Sequence, residues 1–105
     1  MSDEAPISID SSTDGATASV TLTGELDVHT APQVAEVLDA ALAGGATAIT
    51  IDVAKLRFCD SSGIQVLVQA RERALASDGS VRLTGVHGTV EKVLSVTGLL
   101  ELLSE

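Results

Sequence analysis

Segments with the two-residue period of a β-strand alternate along this chain with segments that have the period of an amphipathic α-helix. The first two strand-like segments, residues 7–9 and 18–22, flank turn-forming residues and predict a hairpin. Two later strands, at about residues 48–53 and 81–84, each follow a helix of ten or more residues, which favours parallel pairing. The chain is therefore predicted to be an α/β protein, with a small mixed β-sheet of four to five strands flanked by three or more helices.

The length of the chain allows one domain and little more. A chain of 105 residues has the size of one ordinary domain, so we expect a single domain over residues 1–105 with one hydrophobic core. Residues 1–6 are polar and acidic and lack the basic and apolar regions of a secretory signal. We expect a short flexible tail there.

The first helix has clear start and stop signals. Thr30 and Gln33 have the spacing of a capping box, Pro32 is tolerated in the first turn, and two glycines at 44–45 follow the last apolar residue. Its predicted buried residues are Val34, Val37, Leu38, Ala41 and Leu42.

Two further helices follow the same spacing rule. The second spans about residues 62–77 and ends before Gly79, and the third stops near Gly98. Their predicted buried residues are Ile64, Leu67, Val68, Leu75, Val90, Val93 and Leu94. Residues 99–103 fit either a strand or a short helix, and we favour the strand.

The charge balance argues against several classes of partner. Fifteen acidic residues against six basic ones give a net charge of −9, which repels phosphate backbones and anionic lipid surfaces, so we expect no direct binding of nucleic acid or membranes. Cys59 is the only cysteine, which excludes an internal disulfide, and the sequence has no His/Cys cluster with zinc-ligand spacing. We expect a cytoplasmic protein without a metal or a cofactor.

The sequence Asp60-Ser61-Ser62-Gly63 lies between the strand at 48–53 and the second helix. The first amide groups of a helix lack intrahelical acceptors and the helix dipole is positive there, so Asp60 or Ser61 can be the N-cap and the site can hold an anion such as a phosphate. In open α/β sheets, functional sites gather beyond the carboxyl ends of parallel strands. This segment is therefore the candidate functional site.

Residues around this segment have simpler expected roles. Phe58, the only aromatic residue, is expected to anchor a loop at 54–59 to the core, and Cys59 is expected to be a small buried hydrophobic residue. Gly63 costs about 1 kcal/mol of helix propensity relative to alanine. It either meets a need for close approach at this site or relieves crowding against the preceding strand.

Motifs spread over almost the whole chain resemble those of one family. They are Gly-Glu-Leu-Asp at 24–27, Asp-Val at 52–53, Leu-x-Phe-x-Asp-Ser-Ser-Gly-Ile at 56–64 and Val-Thr-Gly-Leu at 96–99. Each is weakly specific alone, but their order and spacing around a capped helix are specific in combination. They resemble the anti-sigma factor antagonists of the STAS domain family, and this implies a STAS-like fold.

The resemblance implies a regulatory protein rather than an enzyme. The partner would be an anti-sigma factor that is itself a serine kinase, which would phosphorylate Ser61, and a serine phosphatase would act on phosphorylated Ser61. Ser62 is the neighbouring alternative acceptor. In related proteins the residue corresponding to Asp27 lies close to the acceptor, and by position Thr30 belongs to the same rim. The implied partner-binding residues are Asp27, Thr30, Asp60, Ser61, Ser62 and Gly63.

Charge explains how such a switch would work. An unphosphorylated serine enters a packed interface as a small hydroxyl, whereas phosphorylation adds about −1.5 to −2 charges beside Asp60. The unphosphorylated form is expected to bind the anti-sigma factor and free a sigma factor, and phosphorylation to release the partner. Lys55 or Arg57, expected on a solvated face, could instead steady the phosphate and oppose release. The sequence has no glycine-rich phosphate loop, so the ATP site is expected on the partner.

Two alternatives come from other functional classes. A serine hydrolase using Ser61 or Ser62 with His29 or His87 is disfavoured, because the sequence has no Gly-x-Ser-x-Gly elbow. A STAS domain that serves as a scaffold or a ligand-sensing module and is not phosphorylated stays open, since one fold supports several functions.

Two features depart from the family pattern. Gln65 stands where small residues are common, which could alter the choice of partner. The chain ends at Glu105, where relatives often continue into another helix, so the apolar residues at 99–103 are expected to have less cover than usual. We expect a monomer or a weak dimer.

Overall fold

The computed structural model describes residues 7–99, in which four strands and three helices follow one another. The elements are β1 (Ile7–Asp14), β2 (Thr17–Leu26), α1 (Ala31–Ala43), β3 (Ala48–Cys59), α2 (Ser61–Ala76), β4 (Ser80–Thr84) and α3 (Gly88–Thr97). The strands lie in the order β1-β2-β3-β4, with β1 antiparallel to β2 and the other two pairings parallel. The predicted hairpin and mixed sheet are confirmed. The predicted tail at 1–6 and residues 100–103 of the predicted last strand lie outside the described residues.

The hydrophobic core lies between the sheet and the helices. Alternate residues of the strands are buried, and the buried residues of all three helices join them in one cluster. The strand residues of the core include Ile7, Ala18, Val20, Leu22, Leu26, Ile49, Ile51, Val53, Val81 and Leu83. The predicted helix residues Val34, Leu38, Ile64, Leu67, Val90 and Leu94 are buried there as well. Because burying one Val, Leu or Ile contributes about 1.5–3 kcal/mol, this cluster is what holds the helices on the sheet.

β3 is longer than predicted, and two bulges shift the register between its second half and β2. The strand continues to Cys59 instead of ending near residue 53. At two places along β2, between Thr21 and Thr23 and between Gly24 and Glu25, β3 contributes one residue more than β2. Such bulges redirect side chains. The buried positions of β3 therefore change from every second residue (49, 51, 53) to every third (53, 56, 59).

Phe58 is not the core anchor that the sequence predicted. Its residue surface is 41% exposed, whereas Leu56 and Cys59 in the same segment are buried. The prediction was wrong because it treated residues 54–59 as a loop, in which the large aromatic side chain would be the natural contact with the core. In a strand with bulges, the pairing with β2 decides which side chains face inward.

The buried stripe of α2 also differs from the prediction at one end. Leu75 is 46% exposed, and Ala70 and Ala74 are buried instead. With about 100° of rotation per residue, Ala74 lies about 20° from the buried Leu67 around the helix axis, while Leu75 lies about 80° away. Helix geometry therefore outweighs the larger hydrophobicity of leucine at this end.

Gly63 lets the start of α2 pack closely on β2 and β3. A Cβ atom at this position would lie 2.5 Å from Cγ of Leu26, 2.9 Å from its Cδ2 and 3.1 Å from Sγ of Cys59. Both neighbours are buried, so they cannot move aside without disturbing the core. Of the two roles considered for Gly63, the relief of crowding against the strands is the one that the packing supports.

Gly63→Ala is expected to destabilise the protein by about 1–2 kcal/mol, although alanine is the better helix former. Overpacking costs roughly 1–3 kcal/mol and outweighs a propensity gain of about 1 kcal/mol, because the overlap falls on a buried branched carbon. Urea unfolding measures the effect. The control is the same substitution in a Leu26→Ala background, where space for the methyl group exists and no further loss is expected. An equal loss in both backgrounds would contradict the steric explanation.

Candidate functional site

The carboxyl ends of β2 and β3 bring two loops together. Leu26 and Cys59, the last residues of these strands, are paired in the parallel ladder, and the Asp60 amide donates to the Leu26 carbonyl at 3.1 Å. The turn that follows β2 and the start of α2 therefore lie side by side. We call the exposed and half-buried residues of these two segments the rim, and its members are Asp27, Val28, His29, Asp60, Ser61 and Ser62.

The turn between β2 and α1 is held by two polar side chains. An Oδ1 atom of Asp27 accepts hydrogen bonds from the amides of His29 at 2.9 Å and Thr30 at 3.2 Å. The Thr30 hydroxyl donates to the Glu25 carbonyl at 2.9 Å and accepts from the Asp27 amide, also at 2.9 Å. These hydrogen bonds within residues 25–30 stabilise the turn and define the end of β2.

Thr30 does not have its predicted capping role. Its side chain makes no capping hydrogen bond to α1, because the hydroxyl is already engaged by the end of β2, so the predicted capping box with Gln33 is wrong. Thr30 is also 0% exposed, so it lies beneath the surface formed by its exposed neighbours. The Thr30 hydroxyl stabilises the turn from inside the protein through the bonds to Glu25 and Asp27.

Asp60 is the N-cap of α2, which decides between the two cap candidates. Its backbone is extended, and its Oδ1 atom accepts from the amides of Ser62 at 2.9 Å and Gly63 at 3.2 Å. Ser61 is the first residue of the helix and is exposed, Ser62 is half-buried, and Gly63 is buried. Of the two hydroxyls, that of Ser61 is the more accessible.

The Asp60 cap reduces the number of free amide groups that could bind an anion at the start of α2. Two of the amide groups that a phosphate could use are already paired with the Asp60 carboxylate. A phosphate on Ser61 would have to displace that carboxylate or extend away from it toward solvent. Two adjacent anions repel each other, and outward extension avoids that repulsion.

Burial controls the chemistry of Cys59, which directly precedes the cap. Its thiol is buried as predicted, and desolvation, together with the nearby Asp60 carboxylate, raises its pKa from the ordinary value of 9.0 to about 11. The reactive thiolate is therefore scarce near neutral pH. Cys59 acts as a small apolar side chain under the rim.

The basic residues near the rim are solvated. The guanidinium of Arg57 lies 3.8 Å from the Glu25 carboxylate, with exposed fractions of 74% and 46% for the two side chains, and Lys55 is exposed as well. An exposed pair of this kind contributes about 0–1 kcal/mol. The predicted solvated face is thus present, and Arg57 already has an acidic neighbour.

Neither histidine ring is hydrogen-bonded to Ser61 or Ser62 in the part of the chain that the structure describes. His29 contributes its backbone amide to the turn, and Nε2 of His87 lies 2.6 Å from the Ala54 carbonyl oxygen. Because a carbonyl oxygen only accepts, this nitrogen is the donor and cannot serve as a base in that arrangement. Within residues 7–99, no group of three or more His, Cys, Asp or Glu side chains could hold a metal ion. In the same range, no helix is long and apolar enough to cross a membrane.

The exposure of two apolar residues, Val28 in the rim and Phe58 beside it, was not predicted from the sequence. Val28 is 59% exposed within the turn after β2, and Phe58 is 41% exposed near the end of β3. Val28 lies between Asp27 and His29 in a segment otherwise made of polar turn residues, and this pattern indicates an exposed valine. For Phe58 the signal was the alternation of Ile49, Ile51 and Val53, which places residue 58 on the opposite face once the strand is continued to Cys59.

Comparisons with known proteins agree over nearly the whole chain. The family model described as "Mlab, STAS domain" matches residues 9–104. The anti-sigma-B factor antagonist of Staphylococcus aureus (strain NCTC 8325 / PS 47) is 27% identical over 97 residues, which cover 92% of this chain and 90% of the relative.

Two solved structures of SpoIIAA have similar folds at 26% identity. The anti-sigma factor antagonist SpoIIAA in its unphosphorylated form gives a TM-score of 0.83 and covers 91% of this chain and 85% of that chain. The Bacillus cell fate determinant SpoIIAA in its phosphorylated form gives a TM-score of 0.75, with 91% and 88% covered.

Thr30→Val is expected to destabilise the protein by about 1–3 kcal/mol. The substitution keeps the shape of the side chain but leaves the half-buried Glu25 carbonyl and Asp27 amide without their hydroxyl partner, and an unsatisfied group of this kind lowers stability. Urea unfolding measures the loss, and Thr89→Val at an exposed threonine is the control, with a change near zero. Equal values for the two variants would show that the Thr30 hydroxyl does not support the turn.

Stability is expected to fall between about pH 9 and 11 in a manner that depends on Cys59. The unfolded chain loses the thiol proton near pKa 9.0, while the folded chain keeps it to about 11. In this interval the folded state binds more protons, so rising pH favours unfolding. The unfolding free energy of Cys59→Ala should show a smaller alkaline decline than that of the wild type. Parallel curves for the two proteins would rule out this contribution.

Proposed function

Because this chain belongs to the STAS domain family, we propose that it is an anti-sigma factor antagonist controlled by phosphorylation at Ser61. Unphosphorylated, it binds an anti-sigma factor serine kinase and thereby frees a sigma factor. The kinase transfers a phosphoryl group to Ser61 and is released, and a serine phosphatase restores the binding form. The protein itself carries out no catalysis and acts in the cytoplasm without touching nucleic acid.

One observation carries this proposal: an exposed serine begins a helix whose cap is an aspartate. Ser61 is exposed and Ser62 is half-buried, so a kinase has readier access to Ser61. The related protein SpoIIAA has been solved in an unphosphorylated and in a phosphorylated form, which supports phosphorylation as the form of control here.

Electrostatics at the cap support release as the consequence of phosphorylation. Phosphorylation adds about −1.5 to −2 charges next to the Asp60 carboxylate, which already uses the amides of Ser62 and Gly63. The phosphate therefore extends toward the surface that the partner covers. A thousandfold loss of affinity corresponds to about 4 kcal/mol, and the desolvation of a charged group at an interface without a matching cation is large enough to supply it.

The proposed contact surface is the rim, with two buried residues supporting it. Asp27, Asp60, Ser61 and Ser62 are accessible to a partner, whereas Thr30 and Gly63 hold the turn and the helix start from beneath. The net charge of −9 favours a partner whose surface is basic outside the contact with Ser61, because opposite charge speeds association. We propose that the free protein is a monomer or a weak dimer.

Incubation with the purified anti-sigma factor kinase of the same organism and MgATP tests the switch. We expect one added phosphoryl group, lost in Ser61→Ala and retained in Ser62→Ala. Calorimetric titration should show that phosphorylated protein binds the kinase at least about 100-fold more weakly than unmodified protein, which corresponds to about 2.7 kcal/mol. A serine phosphatase should restore the original affinity.

Other results would redirect the proposal. Phosphorylation that persists in Ser61→Ala would move the acceptor to another residue, and equal affinity of the two forms would reject release by charge. Binding of the anti-sigma factor with no phosphoryl transfer at all would favour a STAS scaffold or ligand-sensing module that is not phosphorylated.

A further inference from the structure

The only aromatic side chain of this protein is outside the core. Phe58 is 41% exposed, and the sequence contains no tryptophan, no tyrosine and no other phenylalanine. Aromatic side chains usually supply large buried contact areas in cores and interfaces. The core here is built from aliphatic side chains, and the position of Phe58 in β3 leaves the aromatic ring available for another surface.

The surroundings of Phe58 are typical of an interface anchor. In the ladder it pairs with Glu25, whose carboxylate lies 3.8 Å from the Arg57 guanidinium. An apolar ring bordered by charged, solvated groups has the composition of a binding hot spot with a polar border. Val28, 59% exposed in the adjoining turn, adds apolar surface at the same edge of the sheet.

Phe58 is close enough to Ser61 to share one interface with it. Three residues of extended chain span at most about 11 Å. A standard interface covers roughly 800 Å² on each partner, equal to a disc with a radius of about 16 Å. The separation of Phe58 from Ser61 is therefore smaller than the radius of one such interface.

The charge switch itself requires contacts of this kind. If the partner held Ser61 mainly through cationic groups, a phosphate would strengthen the complex instead of weakening it. The affinity of the unmodified form must therefore come largely from uncharged contacts around Ser61. An exposed aromatic ring three residues away supplies such a contact through burial of apolar surface.

We propose that Phe58 is the principal apolar anchor for the anti-sigma factor and inserts into an apolar pocket on that partner. This inference rests on the function proposed above and adds a residue that the motif around Ser61 does not single out for binding. The polar border formed by Arg57 and Glu25 keeps water away from the ring in the complex, and Val28 extends the apolar contact.

Affinity measurements on four proteins test this anchor. Wild type, Phe58→Ala, Phe58→Leu and Leu75→Ala are titrated with the purified anti-sigma factor kinase in the absence of ATP. Leu75 is the matched control, because it is 46% exposed but lies 14 residues along α2 from Ser61, a distance of about 21 Å. Thermal unfolding checks that each variant is folded.

Phe58→Ala is expected to weaken binding by at least about 30-fold, the level of a hot spot. Phe58→Leu, which keeps apolar volume, should retain most of the affinity, and Leu75→Ala should match the wild type. With ATP present, Phe58→Ala should raise KM for the phosphorylation of Ser61 and leave kcat nearly unchanged, because the ring contributes to binding rather than to the transfer step.

The outcomes separate this inference from the proposed function. Wild-type affinity in Phe58→Ala, alongside normal phosphorylation of Ser61, would overturn the anchor and leave the proposed function intact. A change of oligomeric state in Phe58→Ala with unchanged affinity would assign the ring to contact with a second copy, and would also overturn it. Failure of the wild type itself to bind the anti-sigma factor would reject both.

Discussion

The parallel pairing of β2 with β3, continued to Leu26 and Cys59, is the constraint on which the rim depends. It places the turn after one strand beside the helix start after the other, although the two segments are more than 30 residues apart in the sequence. Gly63 completes the arrangement, because the absence of a side chain there lets α2 begin directly over Leu26. The positions of Asp27 and Ser61 therefore follow from backbone pairing and close packing.

Asp60 links the stability of α2 to the electrostatics of the rim. Its carboxylate pairs with amides that would otherwise be free at the helix start, which stabilises the helix. The same carboxylate lies at the positive end of the helix dipole, which would otherwise stabilise another anion. A phosphate on Ser61 would thus be an added negative charge on the surface rather than a replacement for the cap.

Stability and recognition draw on different side chains in this small protein. The core is aliphatic and spans all three helices, while the single aromatic ring lies outside it near the rim. β3 makes this division possible, since it continues as a strand to Cys59 with Leu56 and Cys59 facing inward and Phe58 facing outward. Substitutions at the exposed ring can therefore change recognition with a smaller effect on folding than substitutions in the core.

Short-range patterns in the sequence determined the order of the elements, most of the helix residues that are buried, and the candidate cap at Asp60. Periodicity and capping depend on residues within a few positions of one another, so they can be read from a single segment. Only the tertiary structure decided that Phe58 is exposed, that Thr30 is buried, and that Gly63 relieves crowding. Phe58 is exposed because pairing with β2 extends β3 as a strand to Cys59, Thr30 is held by the Glu25 carbonyl at the end of β2, and Gly63 lies against the side chain of Leu26. Local sequence patterns do not specify how strands pair or how much space is left between packed side chains.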